Sequence, residues 1–518
     1  MAGDKPFCIG WSHIDSEALK RRRPAFCGCY HMRSFRPAHV AGVAFVLAVF
    51  ALLFATHSRF VFTHFSSDAY LEDSGWMAYL FESADPLLHN PSGVNALSFY
   101  AHHLSPHIFL FGAPLAKAFG LRGVEIFAYH QGFFFGLFFL STCLMVARAD
   151  LPRRDWVVAA AAAVTLGALG NALFQASGYP HTEIAMIAIA SLGIAAWLGH
   201  YRYLFGLCLA WLPLIREDGG FYVTVVCLIC LVVEYDRSRG INASTRLLTT
   251  LALAGLAASA LSFLIKAWFF PGFTAFANNF SGNGWDHLSA AFILERVRAM
   301  VTNLNVLPVL LGCAILSAFD IRYSTGLALL SPVLLLHLLA IRPEHGYFTL
   351  YFALPWLLSS VIWLAVFVRR SRMSQASVAE GFIILAAALA LAAPVQAAAG
   401  SQKAFWFVAN LAWQRPVADI RGMQEFARWA RRSLAPSDDG HDADRKRACL
   451  SQGIAALIPN DIRPDEVLTW TSDLRPCQVM LLMRGDMYYG ELSTRGRAAG
   501  FEPTKSQQNV EIWLAKGP

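Results

Sequence analysis

The sequence predicts an all-α polytopic membrane protein that ends in a small α/β extracytoplasmic domain. The chain is 56% hydrophobic and 15% charged, with a positive mean hydropathy of 0.45. Its apolar residues come in long runs rather than in helical stripes, and the composition turns polar after about residue 400. A spanning helix needs about 20 mostly apolar residues. Segments 39–57, 124–147, 247–269, 348–368 and 379–398 meet that need without an internal run of charge. A helix satisfies its backbone hydrogen bonds within one segment, as lipid demands. These features exclude a soluble enzyme. The net charge of +7 lies mostly in short loops at the ends of the apolar runs. Cationic residues there set topology, so nucleic acid is not an expected partner.

Residues 1–36 form a basic segment with Lys20, Arg21, Arg22, Arg23, Arg33 and Arg36 ahead of the first apolar run, which reads as a signal anchor with its N-terminus in the cytoplasm. Arg148, Arg153 and Arg154, then Arg237 and Arg239, then Arg369, Arg370 and Arg372 follow later runs. If each cluster is cytoplasmic, even numbers of spans separate them. That parity makes residues 105–119 an interfacial helix or shallow re-entrant within an outer loop, 58–123, rather than a crossing. The remaining spans are 156–174, 182–199, 203–215, 219–234, 303–319 and 323–340. The transmembrane domain, 37–399, then holds about eleven spans, and the odd number leaves the C-terminus outside, in the periplasm of a bacterial inner-membrane protein.

Residues 400–518 read as the α/β domain, with a helix near 416–433 and strands near 466–470, 478–483 and 510–514. The intervening polar loop carries Asp438, Asp439, His441, Asp442 and Asp444, without the spacing or closing Glu of a calcium loop, so it reads as solvated. Cys27 with Cys29 and Cys227 with Cys230 lack zinc spacing. Cys449 and Cys477 lie where an oxidising compartment would pair them, and both a disulfide and two free thiols stay open.

Five polar pieces fall on the outer side in this threading. SSDAYLEDSGW (66–76) brings Asp68, Glu72 and Asp73, carboxylates able to act as general base or to bind a divalent cation. AHHLSPH holds His102, His103 and His107, of which His107 reads as structural or interfacial. GYPHTEI sets His181 and Glu183 where a span re-enters the membrane, a depth at which ionisable groups are costly and functional by default. IREDGGF places Arg216, Glu217 and Asp218 in a tight turn, the arginine fork suited to a phosphate and the acids to positioning it or sharing a cation. RPEHGYF adds Arg342, Glu344 and His345, more cationic groups for a departing phosphate. Each alone also fits a solvated loop tip. Together they make a candidate site, with Asp68 and Asp73 as catalytic residues, Asp68 and Asp218 as candidate metal ligands, and His103, His181, Glu183, Arg216, Glu217, Asp218, Arg342 and His345 as substrate-binding residues.

These residues also occur in a recognisable order. Asp68 and Asp73, HLSP at 103–106, Gln131, PHTE at 180–183, RED at 216–218 and HGYF at 345–348 before Pro355 resemble the signature of the membrane proteins called domain of unknown function 2079. That family shows an Asp-rich segment, HFSP, a helix glutamine, FHPE and KED in the same order. Here Leu104 replaces the phenylalanine, the proline of the histidine motif is moved, and Arg216 replaces the lysine. The family looks like a branch of the GT-C superfamily of integral membrane glycosyltransferases. The resemblance implies a polyprenyl-phosphate sugar donor, membrane lipids as surroundings, and Asp68 as the match to the superfamily's first-loop acid. A transporter or flippase for a lipid-linked glycan and a non-catalytic assembly protein are the alternatives.

Overall fold

The computed structural model describes residues 37–64, 73–82, 103–147, 151–179, 181–235, 242–270, 277–282, 284–401, 416–434, 447–458, 461–462, 466–468, 472–486 and 488–516. Two compact units divide at residue 45. The first contributes, among the described residues, only the start of α1 (Pro37–His64), and everything below belongs to the second.

Among the described residues, seventeen α-helices form the apolar body. After α1 come α2 (Asp73–Glu82), α3 (Pro106–Phe119), α4 (Gly123–Ala147), α5 (Arg153–Leu169), α6 (Asn171–Gly178), α7 (Glu183–Leu198), α8 (Arg202–Ile215), α9 (Gly219–Glu234) and α10 (Ala243–Phe269). Then follow α11 (Ala290–Thr302), α12 (Leu307–Ser317), α13 (Thr325–Leu338), α14 (Pro343–Gly346), α15 (Leu354–Arg372), α16 (Val378–Ala390) and α17 (Ala393–Ala398). Among the described residues five helical stretches are long and apolar enough to cross a membrane, or six if α11 and α12, bent by 76°, count as one. Four more apolar helices, α7, α8, α9 and α16, are shorter. The chain is an integral membrane protein. The α15 span is its buried axis, while α10 turns Leu253, Leu261, Leu264 and Trp268 outward, as a lipid-facing helix does.

Two expected spans are broken. Residues 156–174 divide at Gly170 into α5 and α6, and 379–398 divide at Leu391 and Ala392 into α16 and α17. The breaks meet: the Asn171 backbone N–H donates to the Leu391 carbonyl at 2.9 Å. The Asn171 side-chain amide donates to Asn305 (3.0 Å) and Gln396 (2.7 Å), and Gln396 donates to the Leu304 carbonyl at 2.8 Å. Buried amides thus satisfy groups that the interruptions would orphan. Asn305 lies at the bend before α12, so three interruptions share one polar knot.

One end of the body is stitched by charge. Arg370 at the end of α15 donates to Glu380 of α16 at 2.8 Å and pairs with Asp320 of the α12–α13 turn. Arg372 reaches the Leu198 carbonyl of α7, and Ser371 reaches Asp155 of α5. The 369–372 cluster and the start of α5, which carries Arg153 and Arg154, therefore share one end, while Arg148, Arg237 and Arg239 lie outside the described residues. Residues 105–119 fold as α3, which packs on α2, α4 and α8.

The C-terminal part has a helix, Val417–Leu434, and a four-stranded sheet ordered β1 (Arg447–Leu450), β2 (Cys477–Met483), β4 (Val510–Ala515), β3 (Phe501–Gln507). The β1–β2 pair is parallel and the others are antiparallel. The expected strands at 478–483 and 510–514 are present. Of the one expected at 466–470, only 466–468 are described, and there Val467 makes an isolated bridge to Leu450. Cys449 and Cys477 form a disulfide joining β1 to β2. This part is not walled off at residue 400. Val479, Leu481, Ile512 and Met423 share one apolar core with Phe60 and Val61 of α1, Phe81 of α2 and Phe127 of α4. The acidic loop 438–444 lies outside the described residues.

Candidate active site

Opposite the stitched end, four sequence-distant segments bring polar side chains together. The α8–α9 turn, Arg216 to Asp218, is the hub. Glu217 accepts from the Leu104 backbone N–H at 3.1 Å and from Lys266 of α10 at 2.9 Å, and meets His103 Nδ1 at 3.4 Å. Arg216 grips Asp218 with two parallel bonds, Nε to Oδ1 at 2.7 Å and Nη2 to Oδ2 at 2.5 Å, while its Nη1 pairs with Glu183. Glu183 in turn holds His181 Nδ1. The His103 and His181 rings stand 5.5 Å apart, edge to face. The result is two histidine–glutamate pairs, held on the carboxylate side by Lys266 and Arg216.

Close helix packing sets this register. A Cβ on Gly220 would lie 2.3 Å from the Gly255 carbonyl oxygen, so α9 and α10 cross backbone to backbone, as small residues permit in membranes. Ser259 then receives the Phe221 N–H at 2.9 Å and donates to the Glu217 carbonyl at 3.1 Å, which fixes Lys266, two turns further along α10, above the Glu217 carboxylate.

Gln131 of α4 donates to the His181 carbonyl at 2.8 Å. Below it a buried pair of histidines is ordered by tautomer. Trp211 donates to His107 Nδ1 at 2.9 Å, so neutral His107 carries its proton on Nε2 and donates to His130 Nε2 at 2.8 Å. His107 is thus a structural member of the wall beneath the site. Tyr351 stacks on His181, with centroids 4.9 Å apart and planes 15° apart. It sits on a strained turn in which Phe348 and Leu350 both take positive φ, +48° and +56°. Such backbone costs of order 1–3 kcal/mol per residue and persists where the surroundings impose it.

Side-chain contacts divide the site residues into two groups. Burial would raise the Glu217 carboxyl, but His103, Lys266 and Arg216 outweigh it and hold it well below the usual carboxylate range. Burial would lower the Arg216 guanidinium, but Asp218 and Glu183 hold it well above its ordinary value. The hub sets three carboxylates, Glu183, Glu217 and Asp218, against Arg216 and Lys266, with His103 and His181 beside them. Arg216 is committed to carboxylates in this structure. His345 lies in a second cluster. Its ring stacks on Phe352 at 4.0 Å, and its Nδ1 is 3.2 Å from His337 Nδ1. Arg342 is exposed beside it.

Of the residues singled out from the sequence, His103, His181, Glu183, Arg216, Glu217 and Asp218 form the hub, and Arg342 and His345 belong to the second cluster. Asp68 and His102 lie outside the described residues, and Asp73 begins α2. Both Asp218 oxygens accept from Arg216. Among the described residues no three His, Cys, Asp or Glu side chains converge as metal ligands. Lys266, Ser259 and Tyr351 are site residues that the motifs did not mark. A lysine near the end of an apolar run was the one available signal for them.

No known family matches the chain, so the likeness to domain of unknown function 2079 rests on the order of its motifs. No curated protein matches it either. Among solved structures, the cryo-EM structure of the arabinofuranosyltransferase AftD from mycobacteria is similar at 12% identity and a TM-score of 0.44. The likeness covers 92% of this chain and 40% of that one.

Proposed function

We propose that the chain is a GT-C-type glycosyltransferase of a bacterial inner membrane, moving a sugar from a polyprenyl-phosphate donor to an acceptor at the outer face. The observation that carries this reading is the meeting of His103–Glu217 and His181–Glu183 at 5.5 Å between rings, built from three separate segments at one end of the helical body. In such a transfer the acceptor oxygen bonds to the anomeric carbon while the bond from that carbon to the phosphate oxygen breaks. The lipid phosphate leaves with the bonding electrons, and the hydroxyl proton passes to a base. A histidine backed by a carboxylate is suited to accept it, because the carboxylate steadies the imidazolium that forms. Asp68, supported by Asp73, is the base that the family resemblance offers, or else holds a divalent cation. Arg342 and His345 neutralise the departing phosphate, and Glu217 with Asp218 shapes the sugar pocket.

Orientation has two supports. The Cys449–Cys477 disulfide suits an oxidising compartment. Arg153, Arg154, Arg369, Arg370 and Arg372 gather at the end away from the site, as cytoplasmic residues do. The test is saturable binding of a polyprenyl phosphate to the purified protein in nanodiscs, compared with the same polyprenol lacking phosphate. Preference for the phosphate supports the reading, and equal binding or none removes it.

A transporter or flippase for a lipid-linked glycan is a second reading, favoured by the three helix interruptions around Asn171, Asn305 and Gln396. Interrupted helices with polar contacts mark substrate paths in transporters. Asn171→Leu should stop translocation of a labelled lipid-linked glycan in vesicles if that reading holds, and should leave sugar transfer intact if the first one does.

A further inference from the structure

Arg296, on α11, is a buried cation without a counter-charge among the described residues. Its residue is 3% exposed. The guanidinium lies between the Phe292 and Tyr347 rings, 4.7 and 4.6 Å from their centroids. Only Nη2 finds acceptors, the carbonyl oxygens of Ala340 at 3.3 Å and Ile341 at 3.5 Å, while Nε and Nη1 have no hydrogen-bond partner. Among the described residues no carboxylate pairs with it. Glu295, on the same helix, is engaged by the Tyr347 hydroxyl. A Cβ on Gly346 would lie 2.7 Å from Arg296 Nε, so the absence of a side chain at 346 gives the guanidinium its place beside His345. His337 adjoins His345 at 3.2 Å.

Buried charges in proteins are paired, and buried donors are satisfied. A guanidinium with two orphaned N–H donors, beside His345, with His337 behind it and exposed Arg342 close by, therefore lacks an anion. Two aromatic faces hold it rigidly, which suits a preformed fork for tetrahedral oxyanions. Arg216 cannot serve that purpose while it grips Glu183 and Asp218. We infer that Arg296, with His345 and His337, binds a phosphate carried on a lipid, and that this cluster rather than Arg216 receives the phosphate of the donor. The inference rests on the glycosyltransferase reading for the identity of the lipid.

Four probes separate the outcomes: polyprenyl phosphate, the corresponding polyprenol, inorganic phosphate, and nanodiscs with or without phosphatidylglycerol. Wild type should prefer polyprenyl phosphate over polyprenol by roughly tenfold or more, the size expected for charge-assisted hydrogen bonds. Arg296→Gln should abolish that preference while polyprenol binding is retained, and Arg153→Gln, an exposed change at the far end, should leave it intact. Gly346→Ala, which crowds the guanidinium without removing it, should weaken the preference and carries the test if Arg296→Gln does not fold. A wild-type preference that survives in Arg296→Gln, or in Gly346→Ala where the glutamine variant fails to fold, overturns the inference and leaves the proposed function standing. Absence of any preference in wild type overturns both. Equal, Arg296-dependent binding of inorganic phosphate or of phosphatidylglycerol would make the cluster a general phosphate site and overturn its assignment to the donor.

Discussion

Replacing Arg216 by glutamine separates its two possible roles. In the structure it makes three bonds to two carboxylates, and the three side chains are only 18%, 12% and 19% exposed. Its removal leaves Glu183 and Asp218 close together, beside Glu217, with Lys266 as the remaining local cation. Breaking a buried ion pair by deleting one partner costs about 3–5 kcal/mol, mostly from the charge left behind. Residual water access at this turn points to the lower end, about 3 kcal/mol. The double variant Arg216→Gln/Asp218→Asn removes one of the orphaned charges and should recover about 1–2 kcal/mol of that loss. Unfolding of purified protein in mixed micelles, titrated with denaturing detergent, gives both numbers. Stability of Arg216→Gln within about 0.5 kcal/mol of wild type would contradict a structural role for Arg216, because such surface-like behaviour would mean that the guanidinium does not hold the acids and is free for a phosphate.

The Glu217 carboxyl is held below its unfolded value, so it stabilises the fold above about pH 4.3 and that stabilisation is lost as pH falls towards the folded value. Glu217→Gln should therefore be less stable than wild type at neutral pH, with a gap that narrows below about pH 4, as thermal unfolding across pH would report. Gly220→Ala puts a methyl group against the Gly255 carbonyl and should cost about 1–3 kcal/mol by forcing α9 from α10, read as a lower melting temperature. Cys449 and Cys477 close a loop of 28 residues, and changing both to serine should cost about 3.5 kcal/mol, seen as faster proteolysis of the C-terminal part.

The apolar runs of α4, α10 and α15 were legible because lipid-spanning helices are specified by composition. The interruptions were not. Gly170 and Pro394 sit inside apolar stretches, and what breaks the helices there is a contact between Asn171, Asn305 and Gln396 from segments far apart in sequence. Strand β3, FEPTKSQ, is exposed at every position after Phe501 and carries no alternation, so its pairing with β4 was invisible before folding. His181, Glu183 and the Arg216–Asp218 turn stood out because charge at a span end demands a reason. Lys266 and Arg296 did not. A lysine near a span end reads as snorkelling, and an arginine in the mixed sequence of α11 reads as solvated. Only the fold gives the first a carboxylate and encloses the second between two rings.

Sugar transfer from a lipid phosphate is the role proposed for the paired histidines at the outer end. The most direct measurement is single-turnover release of polyprenyl phosphate from labelled polyprenyl-phosphate sugars by protein in nanodiscs, with Asp68→Asn and His181→Gln beside wild type. Release by wild type, with loss in both variants at unchanged membrane insertion, is the predicted result. Full release by both variants, or none by wild type from any donor that it binds, would contradict the claim.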